Sequence, residues 1–319
     1  MAAAILEVDL LRFERRGEAE RQAVVDGVMR SLATGFVYTT SDLPEALLDE
    51  AYGMLAAFFA LPLGSKQAFC VAGSSGQTGY TGPLIERAEA NELADWKEML
   101  NWSLPLASAH PLRRRFPTLY PEQVLPEAAV PGISAVLERF HRSLLELQRR
   151  FLRVIAIGMG CHEAFFEGMV GEGPTLTRAI HYPPMAQAPR DGHVWAAPHA
   201  DINLITALPR ATAAGLEVQV EGHWHAAAPP PGRVIINTGL MLERLSNGLI
   251  PAGWHRVVAG ADQRGGRHSV VQFCHPTPWT VLAPVPSCCG PTTPMRWPGI
   301  LACDALEEVL YRIGLLDGG

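Results

Sequence analysis

Two histidines and an aspartate in the second half of the chain have the types and spacing of a metal site. His199 and Asp201 are two residues apart, so on a β-strand their side chains would point to one face and could converge on one ion. His255 follows the turn Pro251–Trp254 and can supply a third ligand. Two imidazoles and one carboxylate leave half of an iron(II) shell open for a cosubstrate and dioxygen, whereas structural zinc takes four protein ligands. We therefore predict that these three residues are the catalytic iron ligands.

Arg267 and Ser269 have the spacing of a carboxylate-binding pair on one face of a strand that leads to Phe273. A guanidinium can bind a carboxylate through two parallel hydrogen bonds, and the serine hydroxyl can add a third. This arrangement suits the distal carboxylate of a dicarboxylic acid, although a lone arginine more often forms a surface ion pair. Phe273 is on the same strand face, where it either lines the pocket or packs in the core.

The elements that must position these residues differ between the two halves of the chain. Periodicity and capping signals predict a mostly helical first half. The predicted elements of this half are a strand at 5–10, a helix at 18–34, a strand at 35–40, a helix capped by Ser41 or Asp42 that ends before Pro62, a loop at 71–82 and a long helix at 133–158.

From Thr177 onward the chain consists of short β-rich runs separated by Gly and Pro clusters, such as 216–220, 233–236 and 269–273. This texture is typical of a barrel or jelly roll. No internal repeat or long linker divides the chain, which favours one composite domain. We predict a single domain over 1–319 with a mostly helical part at 1–165, a jelly-roll core at 170–300 and a C-terminal helix at 301–319.

The composition is that of a globular protein with a sizeable core, with 48% hydrophobic and 18% charged residues. A net charge of -6 gives no broad basic surface, so we expect a small-molecule partner and neither nucleic acid nor membrane. Glu7 and Asp9 interrupt the N-terminal apolar stretch, and we expect a cytoplasmic protein. The six cysteines lack C-x-x-C spacing and are expected to be reduced, with Cys288 and Cys289 as loop residues. Nothing in the composition indicates an oligomeric state.

Taken in order, these residues resemble the isopenicillin N synthase-like branch of the iron(II)- and 2-oxoglutarate-dependent oxygenases, whose motif is H-x-D, a distant H, then R-x-S. The resemblance extends over residues 5 to 315 in segments of the same order. These segments are ILEVDL, GFVYTT, ALPLGSKQAF, GYTG, LADWKEMLNWSLP, RAIHYPPM, GLEVQV, VIINTGLMLERLSNG and WHRVVAG.

The resemblance implies a mainly β fold with added helices: a distorted double-stranded β-helix, or cupin-like jelly roll, with iron in its open mouth and N-terminal helices bracing one sheet. It implies Fe(II), 2-oxoglutarate and O2 as cofactors, with ascorbate as a stimulant. The expected reaction is hydroxylation, desaturation or cyclisation of a small molecule in specialised metabolism, such as antibiotic biosynthesis. Tyr182 is expected to face the cosubstrate, and Arg178, Tyr80 and Phe273 are the expected substrate contacts.

One departure from the family pattern keeps a second function open. Many plant-type members have Asn two residues before the tyrosine, whereas this chain has Ile180, and isopenicillin N synthase lacks the Asn as well. An iron-dependent oxidase that uses no 2-oxoglutarate is therefore an alternative. A non-catalytic metal or ligand sensor and a zinc hydrolase are further alternatives, disfavoured by the intact ligand set and by the lack of an H-E-x-x-H motif.

Overall fold

Two β-sheets of unequal size form the centre of the computed structural model, which describes residues 4–87 and 93–312. The strands of the major sheet, in spatial order, are β1 (Glu7–Val8), β2 (Phe36–Thr39), β10 (Val234–Thr238), β7 (Ile205–Leu208), β12 (Arg267–Cys274), β5 (Leu176–Tyr182), β4 (Glu98–Trp102) and β3 (Gly79–Thr81). The strands of the minor sheet are β6 (Ala196–His199), β11 (His255–Val257), β8 (Leu216–Val220) and β9 (His223–Ala226). A separate short pair joins β13 (Val281–Leu282) to β14 (Ile300–Leu301). Only β1 and β2 pair in parallel among these described strands.

The helices pack around these sheets, mostly from the first half of the chain. They are α1 (Leu10–Arg15), α2 (Glu18–Leu32), α3 (Glu45–Phe59), α4 (Leu63–Gln67), α5 (Pro111–Arg115), α6 (Ile133–Gly158), α7 (Glu167–Val170), α8 (Leu240–Leu245) and α9 (Ala302–Arg312). Among the described helices, none is both long enough and apolar enough to cross a membrane. The predicted mainly β fold with bracing helices is confirmed.

Two apolar cores fill the spaces between the layers of the fold. One lies between the helices and the outer face of the major sheet, where α6 contributes its predicted stripe of Leu137, Phe140, Leu144, Phe151 and Ile155, each at most 2% exposed. The other lies between the two sheets and is built from both of them. Strand side chains alternate between faces, so strands such as β2, β5 and β10 contribute residues to both cores. The candidate site opens into the layer between the sheets.

Two element boundaries differ from those that the sequence predicted. Asp42 does not cap α3, which begins at Glu45 with Pro44 as its N-cap residue. Instead, an Asp42 oxygen lies 2.8 Å from Nη1 of Arg150 on α6, and this ion pair holds the carboxylate. The strand predicted at 5–10 is cut short because α1 begins at Leu10.

Strands β3 and β4 lie where the sequence predicted none. β3 occupies the end of the loop predicted at 71–82 and pairs with β4. Every residue of β4 is buried, so the strand lacks the polar–apolar alternation of a half-exposed strand. With β1 and β2, four strands from the first part of the chain join the major sheet. Of the helix predicted at 301–319, residues 313–319 lie outside the described residues.

A buried polar layer joins α6 to β5 and β12. His141 Nδ1 lies 2.7 Å from Thr177 Oγ1, which also accepts a hydrogen bond from Gln272 Nε2 at 2.8 Å. Gln272 Nε2 also donates to the His141 carbonyl at 3.0 Å, and Gln148 Nε2 donates to Gln272 Oε1 at 2.8 Å. Burial lowers the pKa of His141 to about 3, so the imidazole is neutral in the folded protein near neutral pH.

This histidine should make stability fall with acid. The unfolded chain binds a proton at His141 below its ordinary pKa of 6.5, whereas the folded chain does so only near 3, so stability is lost as the pH falls through that window. We expect the metal-free wild type to lose about 2 kcal/mol more unfolding free energy than His141→Gln between pH 6.5 and 5, at about 1.4 kcal/mol per pH unit. Urea denaturation at both pH values measures the difference. His223→Gln, at an exposed histidine, is the control, and equal losses in wild type and His141→Gln would contradict the prediction.

Candidate metal centre and its two cavities

The three predicted iron ligands meet between the ends of β6 and β11. His199 and His255 are directly opposite each other in the antiparallel register, with ring centroids 4.3 Å apart. Asp201 follows His199 by two residues and is 7% exposed. Each residue offers one ligand atom, and these atoms all lie within 4.8 Å of one another. The structure thus brings together the residues that the H-x-D and distant H pattern indicated.

Backbone carbonyls orient both imidazoles. His199 Nδ1 donates to the carbonyl of Ala197 at 2.8 Å, and His255 Nδ1 donates to the carbonyl of Gly253 at 3.0 Å. Each Nε2 therefore keeps its lone pair for a ligand, as is usual for metal-binding histidines. Burial, aided by the neighbouring His255, lowers the pKa of His199 to about 4. The neutral imidazole is the form that a metal requires.

The Asp201 carboxylate is held so that one oxygen remains available. Its Oδ2 accepts hydrogen bonds from Thr206 Oγ1 at 2.6 Å and from Asn237 Nδ2 at 2.7 Å. Its Oδ1 lies 4.0 Å from His255 Nε2. Burial alone would raise the pKa of Asp201, but His255, His199 and the two hydrogen bonds together hold it below its usual value. Asp201 is therefore anionic, with one oxygen already hydrogen-bonded and the other available to a metal ion.

This donor set fits iron(II). It consists of two neutral imidazoles and one carboxylate oxygen, and the described residues add no fourth His, Cys, Asp or Glu to the cluster. Such a set is the facial triad of non-haem iron proteins and leaves positions open on the metal.

Gly35 allows β2 to approach the turn that precedes His255. Its φ is +79°, and a Cβ at this position would lie 2.4 Å from the Cα of Gly253. Its carbonyl accepts a hydrogen bond from the Thr238 amide at 3.0 Å. A side chain at Gly35 would displace Gly253, whose carbonyl orients His255.

A first cavity joins the metal centre to the predicted carboxylate-binding residues. All three predicted ligands line it, together with Arg267, Ser269 and Tyr182. Arg267 is 2% exposed, donates through Nη1 to Ser269 Oγ at 2.9 Å, and lies with Cζ 5.1 Å from the Tyr182 ring centroid.

Arg267 has no carboxylate partner among the residues that the structure describes. Its Nε donates to the carbonyl of Ala213 at 3.1 Å, and the Tyr182 side chain also forms a hydrogen bond with the guanidinium. Burial lowers the pKa of Arg267, yet a guanidinium remains charged in proteins. A buried cation without a counter-ion costs several kcal/mol, so this position is suited to an anionic ligand.

A second cavity adjoins the same centre. His199 and Asp201 line both cavities, as do Arg178 and Phe273, two of the predicted substrate contacts. The second cavity is further lined by charged and polar groups, Gln77, Glu86, Asp95 and Lys97 among them, and by the α9 residues Leu306, Val309 and Leu310.

The prediction that Tyr80 contacts substrate is wrong. Tyr80 belongs to the core between the helices and the major sheet, where its ring centroid lies 5.9 Å from that of Phe58 and its hydroxyl donates to Glu98. The position of Tyr80 in β3 directs its side chain away from the cavities. His181 and His268 also point to this face, with ring centroids 4.5 Å apart, and neither residue lines either cavity.

Two charged residues that the sequence did not identify line the second cavity. Glu86 lies in a loop and Lys97 immediately precedes β4, and Lys97 Nζ is 3.1 Å from Glu86 Oε2. The sequence offered only one signal for either residue, the position of Lys97 in a family-like segment. Their contact is tertiary and has no local pattern.

Known protein families match this chain in both its helical first part and its β-rich second part. Residues 174–276 match the 2OG-Fe(II) oxygenase superfamily, and residues 8–127 match the N-terminal region of non-haem dioxygenases in morphine synthesis. Gibberellin 20 oxidase 2 of Oryza sativa subsp. japonica is 28% identical over 307 residues, which cover 95% of this chain and 74% of that protein.

Solved structures extend the likeness to nearly the whole chain. A 2OG-Fe(II) oxygenase family protein from Caulobacter crescentus is 30% identical, with 98% of this chain and 99% of that chain covered and a TM-score of 0.84. A full-length protein from Neurospora crassa, solved in complex with alpha-KG, has a TM-score of 0.85 at 23% identity, with 97% of this chain and 98% of that chain covered. At 23% identity, the likeness to the Neurospora crassa protein shows a shared fold only.

Proposed function

The chain belongs to the 2OG-Fe(II) oxygenase superfamily, and from this premise we propose that it is an iron(II)- and 2-oxoglutarate-dependent dioxygenase that oxidises a small molecule. One observation carries the proposal: a three-donor centre shares one cavity with a buried guanidinium that has no counter-ion in the described part of the chain. A dicarboxylic cosubstrate matches both ends of that cavity.

Each site residue then has a specific role. His199, Asp201 and His255 would hold the iron. Arg267 and Ser269 would bind the distal carboxylate of 2-oxoglutarate, for which the guanidinium already lies 2.9 Å from the serine hydroxyl. With 2-oxoglutarate and dioxygen, the bound iron supplies the oxidising power, and succinate and carbon dioxide are released.

The chain's own contribution is positioning and the exclusion of water. Tyr182 supports the guanidinium through its ring face. Ile180 and Phe273 also line the first cavity and keep its walls apolar around the carboxylate-binding residues. A dry pocket strengthens the ion pair between Arg267 and a bound carboxylate.

Coupled oxygen and succinate measurements test the proposal. We expect the Fe(II)-loaded protein to bind 2-oxoglutarate and, when supplied with its substrate from a panel of small molecules, to release succinate in step with oxygen uptake. Oxygen uptake without succinate would instead indicate an oxidase of the isopenicillin N synthase type. A metal-loaded protein that does not bind 2-oxoglutarate would also overturn the proposal.

We further propose that the product belongs to specialised metabolism. Support comes from relatives such as leucoanthocyanidin dioxygenase 1 of Oryza sativa, 29% identical over 296 residues, and azadirone synthase of Melia azedarach, 26% identical over 280 residues. Antibiotic biosynthesis is the narrower form of this proposal, and a cytoplasmic location remains a prediction from the sequence.

A further inference from the structure

We propose that the second cavity binds a small molecule with an apolar body and an N–H or O–H donor, uncharged or cationic, and that Glu86 accepts the hydrogen bond from this donor. The assignment of this molecule as the oxidised substrate rests on the proposed function. The binding chemistry itself rests only on the lining of the cavity.

Among the residues that the structure describes, none forms a hydrogen bond with one buried oxygen of Glu86. Its side chain is 10% exposed, and its Oε2 lies 3.1 Å from Lys97 Nζ. Its Oε1 lies 3.1 Å from Arg178 Nη1, but the hydrogen bond of that nitrogen runs to Oε2 at 3.4 Å, and Oε1 accepts none. Buried polar atoms in native proteins nearly always have a partner. This oxygen, which has an ion-pair contact but accepts no hydrogen bond, belongs to a residue that lines the same cavity as His199 and Asp201.

Glu86 stays ionised in this position. Burial would raise the pKa of its carboxyl, but the charges of Arg178 and Lys97 outweigh burial and lower it to about 2. Hydrogen bonds to a charged acceptor are stronger than those between neutral groups. At neutral pH the cavity therefore offers a carboxylate as an acceptor.

The nearby cations are already paired. Lys97 Nζ forms ion pairs with Asp95 Oδ2 at 2.8 Å and with Glu86 Oε2 at 3.1 Å. Arg178 donates through Nε to Asn101 Oδ1 at 2.7 Å and through Nη2 to a backbone carbonyl at 3.4 Å. Glu86 and Asp95 balance the charges of Lys97 and Arg178. An organic acid would therefore meet two carboxylates and cations that already have partners.

The apolar part of the lining calls for an apolar body, while Gln77, Asn203 and His275 add further polar groups to the cavity wall. Phe273 lies with its ring centroid 5.4 Å from Arg178 Cζ, at the boundary between the polar and apolar walls. Arg87 also lines the cavity, but it is exposed to solvent. The apolar walls are formed by Leu176, Ile202, Phe273, Leu306, Val309 and Leu310. A molecule with a donor on one edge and hydrocarbon on the other would satisfy both kinds of wall.

Three probes that share one ring test the inference: benzylamine, benzyl alcohol and benzoate. Ligand-observed NMR would be recorded on the full chain loaded with Zn(II) and 2-oxoglutarate, and again without them. We expect the wild type to bind benzylamine and benzyl alcohol at least about tenfold more tightly than benzoate.

The variant Glu86→Gln should invert this preference. It removes one negative charge, so Lys97 and Arg178 outnumber Asp95, and we expect about tenfold weaker binding of benzylamine together with tighter binding of benzoate. Glu122→Gln makes the same chemical change at a side chain that is 83% exposed, and it should leave all three affinities unchanged.

Two outcomes would overturn the inference: a wild type that prefers benzoate, or an equal loss of all three probes in folded Glu86→Gln. If Glu86→Gln does not fold, the order in which the wild type binds the three probes still tests the inference. Binding requires no turnover, so the two proposals can fail separately. Protein that ranks the probes as expected but releases no succinate with any substrate overturns only the dioxygenase proposal.

Discussion

Replacing Asp201 with alanine should lower the affinity for iron(II) by more than about 100-fold and abolish 2-oxoglutarate turnover. Loss of a group that only orients a ligand already costs about 10- to 100-fold in metal affinity, and Asp201 would be the ligand itself. Two neutral imidazoles would remain, without the one anionic donor of the centre. Competition with a chelator under anaerobic conditions measures the affinity, and succinate release measures turnover.

Asp262→Ala is the matched control because Asp262 is exposed and lies outside both cavities. Unchanged iron affinity in Asp201→Ala would show that the ion binds elsewhere. Turnover that survives the loss of iron would argue against an iron-dependent reaction.

Two of the three residues of the metal centre were predictable from local geometry. His199 and Asp201 are separated by the repeat of a strand, and the structure places them at the end of β6 and just beyond it. The position of His255 depends on a register between distant strands, which no local pattern contains. His255 was a candidate from its place after a turn, the ordered family resemblance supported it, and the pairing of His199 with His255 explains why it fits.

The errors have a common physical cause. The family resemblance made Tyr80 an expected substrate contact. The face to which its side chain points depends on the register of a short strand, which the sequence does not give. Glu98 and the other residues of β4 are buried on both faces, so that strand shows no alternation. Glu86 becomes a candidate binding residue only once the structure shows its ion pair with Lys97. By contrast, α6 was predicted from end to end because its long apolar stripe is itself a local signal.

Lys97 connects the two sides of the centre. It lines both cavities and is held by Asp95 and Glu86. The Asp95 carboxylate also accepts a hydrogen bond from the Ala197 amide at 3.0 Å, and the Ala197 carbonyl orients His199. The charged cluster of the second cavity is therefore tied to the strand that presents the metal ligand.

Arg267→Met should separate cosubstrate binding from stability. The wild-type side chain is 2% exposed and has no carboxylate partner among the described residues, so its charge is a cost to the protein without cosubstrate. Replacing a buried charge with an apolar group of similar volume is often neutral or stabilising by about 1–4 kcal/mol. We expect the metal-loaded variant without 2-oxoglutarate to be at least as stable as the wild type in urea denaturation.

The same variant should lose cosubstrate binding. Removing one partner of a buried, hydrogen-bonded charge pair costs about 2–5 kcal/mol, so the affinity for 2-oxoglutarate should fall by about 30-fold or more. Since a ligand stabilises the folded state in proportion to the logarithm of its concentration over Kd, saturating 2-oxoglutarate should raise the unfolding free energy of the wild type well above that of the variant. Arg264→Met, an exposed arginine in the loop before β12, should behave as the wild type. A variant that is less stable without 2-oxoglutarate yet gains as much from it as the wild type would show that Arg267 supports the fold and that another group binds the carboxylate.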